Sequence, residues 1–133
     1  MKVLGAAMLA LLICTTSCLA DQAKQVSPAS LRLNGKQLVG KMVVVEGCIL
    51  WGRHGVAILS CEQDNQAGGV RLLDPNNQLV PAFRAVAGAL PFGGQIRAEV
   101  HGTVVNAKAY PAETEVEPCL SIEKIVNPIK APH

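Results

Sequence analysis

The sequence predicts a mainly β fold: a five-stranded Greek-key barrel with a short N-terminal helix and a second helix between strands three and four. Two observations carry this. Five short segments rich in Val, Ile and Leu, at 42–50, 56–61, 70–73, 95–105 and 119–126, are set apart by clusters of Gly, Pro, Asn and Asp. The clearest of them alternate with the period of two of a half-buried strand. One segment, 79–90, changes to helical spacing instead.

A chain of 133 residues holds one domain. That excludes multi-domain enzymes, a full α/β barrel and a repeat array. Hydrophobic residues make up 50% and charged residues 17%, a balance that excludes disorder. Aromatics are confined to Trp51, Phe83, Phe92 and Tyr110, and the formal charge is +2. Nucleic acid is therefore not expected as a partner, since its footprint is clustered Lys and Arg in a strongly basic domain.

Residues 1–20 differ in kind from the rest. Met1-Lys2 is a positive start, 3–13 (VLGAAMLALLI) is an unbroken apolar run, and CTTSCLA precedes the polar DQAKQ. This is the plan of a signal peptide, and the run is too short to span a bilayer as a helix. Export to the periplasm or the bacterial envelope is the expectation. Cleavage after Ala20 is one outcome. The other is lipidation of Cys18, because Thr15-Thr16-Ser17-Cys18 resembles a lipobox, although Thr15 stands where that motif has an aliphatic residue. The only membrane contact expected is through that lipid.

The elements then follow in order. Residues 21–26 read as a linker. Ser27-Pro28 opens a short helix, Ser as cap and Pro in the first turn, which Asn34-Gly35 closes. Strand one is 42–50 (MVVVEGCIL), with Val43, Val45 and Ile49 on one face and Glu46, Cys48 and Leu50 on the other. Gly47 marks a sharp bend or a close backbone approach. The Gly-rich turn Trp51–Gly55 leads into strand two, 56–61. After the polar stretch 62–69 comes strand three, 70–73, stopped by Asp74-Pro75-Asn76-Asn77. Leu79, Phe83, Val86 and Leu90 give the second helix its apolar stripe, with Pro81 tolerable only near its start. Strand four, 95–105, sets Ile96, Ala98 and Val100 against Arg97, Glu99 and His101. Residues 106–118 read as a long loop, 119–126 as strand five and 127–133 as a flexible tail. The folded domain is thus expected over 27–126.

Five strands with a helix between the third and fourth is the layout of the OB-fold, a small Greek-key barrel. The stretch SLRLNGKQLVGKMVVVEGCI, with QIRAEVHGTVV and CLSIEKIV later, resembles the small exported OB-fold proteins of bacteria. Gly40, Lys41, Val43, Val45 and Gly47 match the opening of that pattern; Val100 and Gly102 match its later strand; Ile122 and Ile125 match its closing one. The resemblance implies a fold and a compartment, not a ligand.

Three cysteines lie in the domain: Cys48, Cys61 and Cys119. Export permits one bridge and leaves one thiol over. In OB topology the end of strand two and the start of strand five both neighbour strand three, which favours Cys61–Cys119. The competitor is Cys48–Cys61 across the first hairpin.

Candidate sites are sparse. Trp51, Arg53 and His54 share the first hairpin turn and could stack a base or a sugar. Glu99 and His101 lie at i, i+2 on one strand face and could both reach one metal ion. No nucleophile elbow, phosphate loop or zinc-protease motif is present, so no catalytic residue and no cofactor are expected. The expected function is a non-enzymatic OB-fold binding or interaction module of the cell envelope, contacting a protein or small ligand. Two alternatives stand beside it. One is an oligosaccharide- or single-stranded nucleic-acid-binding OB-fold. The other is a metal-dependent hydrolase.

Overall fold

A computed structural model of the chain describes residues 23–62, 68–86, 94–108 and 114–132. The leader 1–20 and Cys18 lie outside the described residues.

Strand β1 (Lys24–Val26) comes first. Residues 24–26 thus form a strand where a linker was expected, because they find an edge: they pair in parallel with Val43–Val45. Helix α1 (Pro28–Leu38) follows. The Ser27 hydroxyl accepts a hydrogen bond from the Ser30 N–H at 3.0 Å, and Pro28 occupies the first turn. The expected stop at Asn34-Gly35 is overridden by packing. Gly35 is buried within the helix, and a Cβ there would come within 2.7 Å of the Pro118 ring. This glycine lets helix and strand approach closely. Pro28, Leu31, Gly35 and Leu38 form the inward stripe.

Strand β2 (Met42–Gly52) organises the sheet. One edge pairs antiparallel with β5 (Gly94–Lys108) from Met42↔Thr103 to Trp51↔Gly94. The other edge serves β1 over Val43–Val45, then β3 (Gly55–Leu59) from Cys48 onward. Gly47 sits at the handover, where a Cβ would lie 2.7 Å from the Leu59 carbonyl oxygen. Strands β4 (Val70–Leu73) and β6 (Val116–Lys130) complete the sheet. Its order is β1-β2-β3-β4-β6-β5, and β5 returns to β2, so five strands form a ring with β1 outside it. The β4–β6 contact is parallel; the other contacts within the ring are antiparallel.

Helix α2 (Leu79–Ala85) lies in sequence between β4 and β5. The Asp74 carboxylate accepts from the N–H groups of Gln78 at 2.7 Å and Leu79 at 2.9 Å, satisfying donors that the helix start leaves open. Ring and helices share one core. Val43, Val45, Ile49, Ile58, Ile96, Val100, Leu120 and Ile122 fill it from the strands, and Leu31 and Phe83 from α1 and α2. No buried side chain among the described residues is polar.

The last two strands are longer than periodicity indicates. β5 runs on to Lys108, and β6 begins at Val116, so the expected loop 106–118 shrinks from both ends. β6 also continues through Pro128 to Lys130, where a loose tail was expected. Ile129 and Lys130 pair with Arg97 and Ile96, while register shifts and a positive φ of 52° at Asn127 absorb the irregularity.

The disulfide joins Cys48 to Cys61, with Cα atoms 5.0 Å apart, and Cys119 is a buried free thiol. This corrects the expected Cys61–Cys119 bridge. Leu120 pairs with Leu72, and Arg71 with Ala57, so Cys119 stands level with Ala57. Cys61 lies four residues further along the chain, roughly 13 Å of extended strand. Cys48, by contrast, pairs opposite Leu59, two residues from Cys61.

Candidate functional site

The outer face of β2 and β5 is built by the alternation that turns Val43, Val45 and Ile49 inward. It presents Val44, Glu46 and Cys48 beside His101, Glu99 and Arg97, matched pair by pair. Glu46 and Glu99 are direct cross-strand partners. Opposed like charges destabilise a sheet, and each carboxylate here has its own base. Arg97 donates to Glu46 Oε1 from Nη2 at 2.7 Å and from Nε at 3.2 Å. His101 Nε2 lies 3.0 Å from Glu99 Oε2.

Beside these residues opens a groove of about 680 Å³. Val26 lines it from the end of β1, Ser27 and Pro28 from the start of α1, and Ser60, Cys61 and Glu62 from just past β3. Val44, Glu46 and Gly47 contribute from β2, Arg97 and Glu99 from β5, and Pro132 from the C-terminal end. The groove exists because β1 leaves β2 at Val45 and β3 joins it only at Cys48. The Cys48–Cys61 bridge ties the end of β3 to the outer face of β2 at that place.

The residues singled out in the sequence fall into two places. Glu99 and His101 meet, as two ligands of one ion would. Glu46 is the nearest further carboxylate by register, but it is turned to Arg97. No group of three or more His, Cys, Asp or Glu able to hold a metal ion occurs among the described residues. Trp51, Arg53 and His54 lie at the hairpin turn, but Trp51 faces away from a shared platform. Its ring meets Phe83 of α2 edge-on, with centroids 5.3 Å apart and planes at 74°. Arg53 and His54 sit at the exposed tip, where the His54 carbonyl accepts from Arg71 Nη1 at 2.9 Å.

Sequence reasoning missed the Glu46–Arg97 pair and the place of Glu62 in the groove lining. Glu46 and Arg97 are 51 positions apart, and only the β2–β5 register brings them together. Glu99 and His101 were legible because i, i+2 on a strand is a local relation.

Cys119 stands apart from the groove. Burial pushes its thiol above the ordinary value, and the negative charge of Glu117 adds to the shift. Its Sγ lies 3.5 Å from the Glu117 carbonyl oxygen.

No protein family, curated protein or solved structure matches the chain.

Proposed function

We propose that the chain is an exported, non-enzymatic binding module of the bacterial cell envelope, built on an OB-fold. Numbered from β2, the ring runs one-two-three-five-four and back to one, with three and five parallel. That order is the one an OB-fold barrel uses. The leader-like residues 1–20 and the Cys48–Cys61 bridge suit an oxidising compartment.

The single observation that carries the binding reading is the division between lining and surface. The interior of the ring is filled by apolar side chains, whereas polar groups line an outer groove. A partner is therefore taken on the outside. Glu46, Glu62 and Glu99 line that groove together with a single guanidinium, Arg97, so a basic segment of a protein suits it by charge. The oligosaccharide or nucleic-acid reading draws less support, because Trp51 is engaged with Phe83. The hydrolase reading has two ligands for its ion.

Site-specific photocrosslinking in the living cell tests the binding reading. A photoreactive residue at Gln25 or Glu62 should yield a discrete protein adduct that the same residue at Arg84, on α2, does not. Adducts of equal yield at all three positions, or none at any, would sink it. Intact mass of the protein recovered from the cell tests export and decides between an Asp21 start and a lipidated Cys18. Retention of residues 1–20 would end the export reading.

A further inference from the structure

The charges of the described chain are unevenly distributed. Residues 22–45 hold Lys24, Arg32, Lys36 and Lys41 and no Asp or Glu. The same stretch carries three large exposed apolar side chains: Leu33 at 83%, Met42 at 48% and Val39 at 37%. Helix geometry brings part of this together. Pro28, Leu31, Gly35 and Leu38 face the core, so at 100° per residue Leu33 points directly away from it, flanked by Lys36 and Gln37. The chain then leaves α1 through Val39-Gly40-Lys41 into Met42, all four exposed. Acidic groups nearby are few. Glu117 shares a cleft with Arg32, and Glu115 lies on the other side of the exposed Val116. The side-chain ammonium groups of Lys36 and Lys41 have no hydrogen-bonding or ion-pair partner among the described residues.

We infer that the outward face of α1 and the following turn form a docking surface for an anionic lipid bilayer. Lys36 and Lys41 would meet headgroup phosphates, with Lys24 on neighbouring β1 adding to the field, and Leu33 and Met42 would enter the interfacial zone. Two features favour a bilayer over a protein as the occupant. The basic groups are lysines, point charges on long stems that reach outward past apolar side chains. The chain also reaches this face directly from its leader: Pro28 is ten residues after Cys18, a span of at most about 35 Å. Each basic residue near an anionic surface is worth about fivefold in partitioning. The contact is therefore weak alone and orienting for a tethered domain. The inference rests on the export reading for its place in the cell, but the vesicle measurement below does not.

The test uses the full chain recovered from the cell and two kinds of vesicle: phosphatidylcholine alone and phosphatidylcholine with phosphatidylglycerol. A lipid tether or a retained leader binds both, so the ratio of the two affinities is the readout. We expect at least tenfold tighter binding to the anionic vesicles, abolished by salt and by Lys36→Glu with Lys41→Glu. Arg84→Glu with Lys130→Glu makes the same change of net charge elsewhere and should keep most of the preference. In a second measurement, Leu33→Trp should be quenched by brominated lipid in anionic vesicles, whereas Trp51 of the unaltered chain should not. Equal binding to both vesicles, equal losses in the two double variants, or an unquenched Trp at position 33 would overturn the proposal.

Discussion

Glu46 and Glu99 stand directly opposite one another on β2 and β5, and each is held by a different base, Arg97 at 2.7 Å and His101 at 3.0 Å. Two like charges are thus kept side by side on the outer face of the sheet. Three of these four side chains, Glu46, Arg97 and Glu99, line the groove.

The Arg97–Glu46 pair is half exposed, at 44% and 61%, so water and salt screen it. Its direct coupling should be about 0.5 kcal/mol and no more than about 1 kcal/mol. A double-mutant cycle with Arg97→Met and Glu46→Gln measures that coupling. The fuller effect of Arg97→Met alone includes the unrelieved Glu46–Glu99 repulsion, so restoring stability by adding Glu99→Gln is the expected second result.

The bridge closes a short loop, Cys48 and Cys61 being 13 positions apart. Loss of it in the Cys48→Ala, Cys61→Ala double variant should cost about 3 kcal/mol. Urea denaturation would read this as a lower midpoint with little change in slope. Non-reducing peptide mapping should recover the 48–61 pair and an alkylatable Cys119 only after unfolding.

Burial raises the Cys119 pKa, so the folded chain holds that proton more tightly than the unfolded chain does. The stability this contributes is complete below the ordinary thiol pKa, about 8.5. It is lost as pH rises through the elevated folded value. The stability difference between the wild type and Cys119→Ala should therefore shift against the wild type as pH rises above about 8.5. A difference that is flat with pH would contradict the shift. Native-state alkylation at neutral pH should be slow for the same reason.

Gly47 and Gly52 lie five residues apart on one strand and should answer differently to Ala. At Gly47 the new methyl would meet a strand carbonyl at 2.7 Å and the Pro28 ring at 2.9 Å, neither able to move independently. That substitution should cost about 1–3 kcal/mol. At Gly52 the nearest atom is 4.0 Å away, and the change should stay within about 0.5 kcal/mol. Thermal melts of the two variants make the comparison.

Phe83 is 1% exposed and meets the Trp51 ring edge-on. Phe83→Ala should destabilise by about 3–5 kcal/mol and shift Trp51 emission to the red as water reaches the indole.

The strands were readable wherever alternation was local. Val43, Val45 and Ile49 declared β2, and Ile96, Ala98 and Val100 declared β5, because a half-buried strand writes its two faces into successive residues. β1 was not readable: Lys24-Gln25-Val26 is too short to show a period and exists through its partner. Pro128 hid the end of β6, since a proline argues against a paired strand unless, as here, its position tolerates a missing N–H. The bridge was misjudged for want of register, which fixes Cys119 level with Ala57. The groove follows the same logic. Its charged residues come from segments up to 53 positions apart, Glu46 to Glu99, and no local pattern links them.

The seam between β2 and β5 joins the first half of the chain to its last third, Met42 finding Thr103. A polypeptide that emerges from its amino end must hold β2 with one margin bare until most of the chain has followed. Loop closure of that length is slow, and a bare margin invites other chains. A fragment ending before residue 94 would have every hairpin of the front half and still lack the strand that shields it.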